Sequence, residues 1–198
     1  MTNKTLHLFV GPSASGKTTV ANTLEQQGRI LANGRQMYDK QVRSYTTRAP
    51  RYENEDGHVF ISKQEFDKLE NIVAYTEYNG HHYCATKEQI DGATIYVVDV
   101  DGVDTLLAKY TTDRPIHIWY FNASVPKRID RMVYRGDSDA AIVNRLFNDE
   151  QYDWYERLGV LVDYYKTFRN RDDILLDNID TDRPLYEVVY DMKMYMEE

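Results

Sequence analysis

One local pattern constrains this chain more than any other: Gly11-Pro-Ser-Ala-Ser-Gly16-Lys17-Thr18. Before it, Thr5–Val10 (TLHLFV) reads as a buried strand, and after it Val20, Ala21 and Leu24 recur at helical spacing until Gly28. A glycine-rich turn that leaves a strand and opens a helix aims successive backbone N–H groups, together with the positive helix end, at one point. That point suits a phosphate. Lys17 is placed to neutralise the β- and γ-phosphates of a nucleoside triphosphate, and the Thr18 hydroxyl to face Mg2+.

The rest of the chain alternates in the way such a loop requires. Ala93–Val100 (ATIYVVDV) is a β-branched run, the mark of a parallel strand covered on both faces. A helix over Val103–Tyr110 and a strand over Ile116–Phe121 follow, then a helix opened by Pro126 and continued by Ile129, Met132 and Val133. A further helix is expected from Asp139 towards Leu158, a short strand at Asp173–Leu176, and a closing helix over Leu185–Met196 whose Met192, Met194, Met196 and Tyr190 dock it. Between Gln41 and Thr86 the texture differs. Short β-rich pieces (Gln41–Thr47, Val59–Ser62, Val73–Tyr78, His81–Thr86) and one small helix near Gln64–Leu69 are separated by Pro50, Gly57 and Gly80. The fold class is therefore α/β, a mainly parallel core sheet with a small mixed β insertion.

With 198 residues the chain suits one domain, and 42% hydrophobic against 28% charged residues is a globular composition, not a disordered one. The net charge of −8, without any block of Lys or Arg, argues against nucleic acid as a main partner. The lone Cys84 allows no intrachain disulfide and fits a reducing cytosol. The longest apolar run, Ala93–Val98, is too short for a membrane span, and the N-terminus has no signal-peptide pattern, so the expectation is a cytoplasmic protein that does not engage membranes. The five histidines lack metal-ligand spacing; His7, His117 and Trp119 alternate as strand-face residues.

Several arginines could act on phosphate. Arg48 and Arg51, three apart beside a turn, can converge as two guanidinium forks on one phosphate, to which Tyr83 can add a hydroxyl. The competing reading is a pair of surface ion pairs to Glu53 or Glu55. Asp99 and Asp101 end a buried strand on the side where α/β sheets hold ligands, with Asp101 alternatively capping the next helix. Arg131 and Arg135 share a helix face, and Arg145 follows a short loop.

Taken in order, these motifs resemble those of the guanylate kinase family. The carriers are Ser44-Tyr-Thr-Thr-Arg48-Ala-Pro-Arg51-Tyr-Glu53 with Gly57, then Gly80-His-His-Tyr83, Asp99-Val-Asp101, and Arg131, Arg135-Gly136 and Arg145-Leu146, over about residues 5–148. The resemblance implies a P-loop nucleoside monophosphate kinase fold and phosphoryl transfer from ATP, with Mg2+, to GMP or dGMP. It divides one domain into a core (1–35, 92–124, 150–198), an acceptor-binding insertion (about 36–91) and a lid (about 125–149). It implies ATP binding by Gly11, Ser13, Ala14, Ser15, Gly16, Lys17, Thr18 and Thr19, and acceptor binding by Ser44, Arg48, Arg51, Glu77, Tyr83, Asp99 and Asp101. It assigns catalysis to Lys17, Arg48, Arg131, Arg135 and Arg145, and Mg2+ to Thr18 and Asp99, partly through water. The partners would be small nucleotides, and the assembly a monomer or homodimer. The chain departs from the family where guanine is read: Ala74 stands at the expected glutamate, and Cys84-Ala85 at the glycine and Thr/Ser after the tyrosine. The Gly57–Phe60 stretch is two residues shorter than in the family, so that His58 or Phe60 occupies the region of its tyrosine, and the segment from Phe147 to Arg171 is longer than the family pattern. Other acceptors (another nucleoside monophosphate or ribose 1,5-bisphosphate) and a non-catalytic binding domain of the same fold remain open alternatives.

Overall fold

In a computed structural model, residues 4–30, 34–51, 53–78, 80–150 and 153–196 are described. The first strand, β1 (Leu6–Val10), runs through the phosphate-loop sequence into α1 (Lys17–Gln27). A two-stranded ribbon of β2 (Arg29–Ile30) and β3 (Gln36–Met37) follows, which no sequence pattern announced. Next come β4 (Ser44–Thr46), β5 (His58–Phe60), α2 (Lys63–Phe66), β6 (Ile72–Tyr78), β7 (His81–Thr86) and α3 (Lys87–Asp91). The chain returns through β8 (Ile95–Val97), α4 (Val100–Lys109) and β9 (Ile116–Asn122) to α5 (Val125–Tyr134), α6 (Asp139–Glu150), α7 (Trp154–Arg169), β10 (Ile174–Asp180) and α8 (Leu185–Tyr195).

The core sheet is parallel, in the order β10-β9-β1-β8. From β1 the chain passes to β8 on one side, and then crosses to β9 on the other. The C-terminal end of β1 is therefore the switch point, where ligands bind in sheets of this kind. Alternation along β1 sends Leu6, Leu8 and Val10 into a core shared with α4 and α7, and Phe9 into a second core beneath α1 and α8. Val20, Ala21 and Leu24 fill the second core from α1, and Val188, Val189, Met192 and Met196 from the last helix. Tyr190 and Met194 face outward instead of docking.

A mixed sheet, β5-β4-β7-β6, stands beside the core, with β6 packed on α4 through Val73 and Ala74. The stretch before β4 belongs to the core sheet: Gln41 bridges Ile95 in parallel, and Val42 N–H donates to the Ile95 carbonyl at 2.9 Å. One extended segment thus ties the two sheets together.

The last strand, expected to end at Leu176, runs on to Asp180, and two other expected boundaries shift through a cap. The β-branched run near 93–100 is cut short at Val97, because Asp99 accepts the Gly102 N–H at 2.8 Å and starts α4 at Val100. Asp99 is therefore the cap, and not Asp101. The single helix expected from Asp139 towards Leu158 is two helices, the second opened by Asp153, which accepts the Glu156 N–H at 3.0 Å. The long segment before Arg171 is α7, whose Leu158, Val162 and Tyr165 are buried in the first core. His7, His117 and Trp119 are sheet-face residues, as their spacing suggested. The His117 and Trp119 rings stack at 3.8 Å, and Trp119 Nε1 donates to His7 Nδ1 at 3.1 Å.

Candidate active site

The phosphate loop keeps its shape through backbone conformations that few residues tolerate. Gly11 sits at φ +145°, where an added Cβ would lie 2.4 Å from the Phe121 carbonyl oxygen, and Gly16 caps α1 at φ +97°. Ala14 is left-handed as well, at φ +61°. Lys17 Nζ folds back to donate to the carbonyls of Gly11 (2.6 Å) and Pro12 (2.8 Å). Burial lowers its pKa from 10.5 to about 8, against the attraction of Asp149 and Asp99.

A cavity opens on each side of this lysine. The first, about 630 Å³, lies between the start of α1, α5 and the turn before α8, and is lined by Gly16, Thr18, Thr19, Arg131, Tyr134 and Arg183 among others. The second, about 200 Å³, lies between the loop and the mixed sheet, where Gly11, Ser13, Asp99, Ser44, His58 and Tyr83 contribute walls. Lys17 lines both.

The predicted arginines fall into two groups. Arg131 is part of the first cavity's frame: it donates to the Ala14 carbonyl at 3.0 Å and to the Thr181 carbonyl, tying the phosphate loop to the turn before α8. Arg135 also lines the first cavity, and it belongs with Arg48, Arg51 and Arg145 to one cluster of interacting charges, in which Arg48 lies against Tyr83 of the second cavity. Glu55 organises Arg48 and Arg51, accepting from Arg48 Nη2 at 2.8 Å, from Arg48 Nη1 at 3.1 Å and from the Arg51 N–H at 2.6 Å. Although burial opposes it, those donors hold the Glu55 carboxyl below its usual range. Arg135 and Arg145 share Asp137, with Arg135 Nε donating at 2.9 Å and Arg145 Nε at 3.5 Å from the carboxylate. Arg51 feels them all: burial first, then the charges of Arg48 and Arg145, lower its pKa, with Arg135 adding to the effect. Like charges held this close are unfavourable until an anion arrives.

Not every predicted residue joins the site. Glu77 lies on the other face of β6, exposed, 4.0 Å from His82, while its neighbours Thr76 and Tyr78 face the second cavity. Asp101 is exposed and pairs with Arg157 at 2.8 Å. Thr18 is exposed at the first turn of α1, whereas Asp99 is half-buried beside Lys17 and Thr76, and desolvation pushes its carboxyl up. Among the described residues no three His, Cys, Asp or Glu side chains form a metal cluster, and no helix is long and apolar enough to cross a membrane.

No protein-family model matches the chain. Over 87 residues it is 32% identical to the phosphate import ATP-binding protein PstB of Bifidobacterium longum, spanning only 32% of that protein. Over 154 residues it is 27% identical to the guanylate kinase of Cupriavidus metallidurans, covering 71% of this chain and 66% of that one. The guanylate kinase of Bacteroides thetaiotaomicron is 29% identical over 165 residues, 77% of this chain and 76% of that one. The crystal structure of guanylate kinase from Anaplasma phagocytophilum matches the fold with a TM-score of 0.51 at 14% identity, over 98% of this chain and 84% of that one.

The chain resembles the guanylate kinases. Against that likeness, Ala74 and Ala85 pair across β6 and β7, and both are fully buried in the first core. Beyond the predicted site residues, sequence reasoning reached His58 in the lining of the second cavity and missed the rest. His58, Thr76, Tyr78 and Tyr96 line the second cavity, and Arg128 and Asp149 form a buried pair against Ser13. His58 is bonded to Ser44 (Nδ1 to Oγ, 2.9 Å), and burial lowers its pKa to about 4, so the imidazole is neutral. The parallel pairing of β5 with β4 places His58 opposite Ser44.

Proposed function

We propose that the protein is an ATP-dependent nucleoside monophosphate kinase that transfers the γ-phosphoryl group of ATP to GMP or dGMP, yielding the diphosphate. One observation carries this reading: Lys17 lines two cavities, so a donor in the larger and an acceptor in the smaller would meet at its ammonium. ATP would occupy the first cavity with its phosphates on residues 11–19. The acceptor phosphate would lie between Arg48, Arg51 and Tyr83 in the second, facing Arg135 and Arg145. Such an anion relieves the crowding of like charges at Arg51 and replaces Glu55 as the partner of its guanidinium.

Phosphoryl transfer asks for aligned oxygens and compensated equatorial charge, with no general base demanded. Hard oxygen donors suit Mg2+, which keeps several waters and takes few protein ligands. Thr18 lines the first cavity and Asp99 the second, so the Thr18 hydroxyl and the Asp99 oxygen that Gly102 leaves open would hold the ion partly through water, and the ion would neutralise phosphate charge. Closure of the insertion (36–91) and the α5–α6 lid (125–149) would exclude water, so that the acceptor and not solvent receives the phosphoryl group. A coupled ADP-release assay with Mg·ATP and GMP or dGMP tests this. Turnover is expected, and Lys17→Met should abolish it; a Lys17→Met variant that keeps a near-normal rate would sink the assignment.

A further inference from the structure

Resting on that kinase reading, the lining of the smaller cavity says more about its acceptor. Besides Lys17, Asp99, Asp149 and the phosphate loop, the polar groups of its lining are the hydroxyls of Ser44, Thr76, Tyr78, Tyr83 and Tyr96 and the imidazole of His58, with Tyr83 already placed against the acceptor phosphate. The two carboxylates that line the cavity, Asp99 beside Lys17 and Asp149 beside Ser13, lie at its phosphate-loop side. Asp99 is engaged by the Gly102 N–H, Asp149 by Arg128 and Ser13, and Glu77 points off the far side of β6. Ala74 and Ala85 share the cavity's sheet face by alternation, yet both are sealed into the core and contribute no polar atom.

This matters because guanine presents adjacent N–H donors on its edge. A carboxylate accepting both makes charge-assisted bonds, roughly twice as strong as neutral ones. A hydroxyl rotates to donate or to accept, and a neutral imidazole offers one nitrogen of each kind. Ser44 Oγ, 2.9 Å from His58 Nδ1, can therefore turn its remaining capacity to either type of base edge. Tyr78 Oη is buried without a hydrogen-bond partner among the described residues, so a ligand atom of either polarity would satisfy it. The ring of His58 meets Tyr83 edge-on at 5.6 Å. Aromatic walls favour any base, because every base has a π-face.

We infer that the acceptor site reads the nucleobase through hydroxyls and an imidazole, and that the protein phosphorylates monophosphates of several bases, pyrimidines included, instead of guanine alone. A site committed to one hydrogen-bonding pattern rejects the wrong partner by about 10⁴-fold, whereas a site without that commitment discriminates by about 10²-fold or less.

The full-length protein would be assayed for ADP release with Mg·ATP against GMP, dGMP, AMP, CMP, UMP and dTMP. The expected result is at least one pyrimidine monophosphate with kcat/KM within about 100-fold of GMP. Turnover of GMP and dGMP with every other base beyond that margin would overturn the inference and leave the kinase reading standing. Silence with all six would overturn both. Tyr78→Phe supplies the second arm: KM should rise about 3- to 10-fold for every acceptor that turns over, with KM for ATP unchanged. An acceptor KM that does not move would remove Tyr78 from the readers and overturn the hydroxyl-reading part of the inference.

Discussion

Asp149 and Ser13, 136 residues apart, are joined twice: the Ser13 N–H donates to one carboxylate oxygen at 2.9 Å, and its hydroxyl reaches the other at 3.4 Å. Arg128 completes the clasp, donating to the Ser13 carbonyl at 2.8 Å and to Asp149 itself. Both charged side chains are only 5% exposed. The phosphate loop is thereby fastened to α5 and α6, which carry Arg131 and Arg145, with Arg135 at the C-terminal cap of α5.

That clasp predicts an asymmetric response to mutation. Asp149→Ala strands the Arg128 guanidinium without its counter-charge, so unfolding free energy should drop by about 3–5 kcal/mol. The paired replacement Arg128→Met with Asp149→Leu should recover much of the loss, because neither charge is then left behind. Urea denaturation of the two variants measures this; a loss below about 1 kcal/mol for Asp149→Ala would mean that the pair is not what holds the loop.

Gly11 gives a sharper test of loop geometry. A methyl there would meet the Phe121 carbonyl oxygen at 2.4 Å, in a φ region that only glycine enters readily. Gly11→Ala should therefore destabilise the fold by about 1–3 kcal/mol and remove the thermal protection that Mg·ATP confers. A variant that melts like the wild type and still gains full protection would contradict the tight approach of loop and strand.

Lys17 couples function to pH. Its ammonium titrates near 10.5 in the unfolded chain but at about 8 in the fold, so between those values the unfolded chain binds the extra proton. Stability then rises as pH climbs from 8 to 10.5, and below pH 8 the full penalty of burying the charge, about 1–3 kcal/mol, is present. Lys17→Met should accordingly be more stable than the wild type at pH 7 and lose that advantage towards pH 10.5, while turnover falls by at least about 100-fold. ATP affinity of the wild type should weaken above pH 8. Matched melts across pH check the sign.

His58 works in the acid direction. Its folded value of about 4 lies below the unfolded 6.5, so its share of stability is intact above pH 6.5 and fades as pH falls towards 4, by up to about 3 kcal/mol. Buried His7, also held well below 6.5 by burial, adds a loss of the same sign. His58→Asn should flatten part of the acid limb and leave the His7 part in place. An unchanged limb would mean that His58 titrates as if solvated.

What could be read in advance divides along physical lines. The phosphate loop was legible because its chemistry needs eight consecutive residues, and the ion pairs of Arg48 and Arg51 to Glu55 because a carboxylate seven and four residues on lies within reach across a turn. The mixed sheet was legible from its breakers, since Pro50, Gly57 and Gly80 delimit strands that cannot extend. The clasp at Ser13 was not, because a bond between positions 13 and 149 leaves no periodicity in either segment. Asp99 and Asp101 could not be told apart as caps, because either carboxylate can close a first turn and only the backbone at Gly102 decides. Glu77 was misplaced by one step of strand alternation, which was enough to put it on the opposite face of the sheet.

The arginine pair separates a binding contribution from a structural one. Glu55 is 5% exposed, and Arg48, at 11%, is its main partner, whereas the Arg51 side chain is 44% exposed and reaches Glu55 only at 3.6 Å. Arg48→Ala therefore leaves a buried carboxylate short of donors and should lower stability by about 1–3 kcal/mol as well as weaken acceptor binding. Arg51→Ala removes a cation crowded by Arg48 and Arg145, so the fold should hold within about 0.5 kcal/mol while KM for the acceptor rises by about 10- to 100-fold. Arg51→Lys should restore little of that affinity, because a point charge cannot make the two parallel bonds of a guanidinium fork. Steady-state kinetics with both substrates varied, beside urea denaturation of each variant, distinguish the two roles. Equal losses of stability, or a rise in KM for ATP in place of the acceptor, would show that Arg51 does not meet the acceptor phosphate.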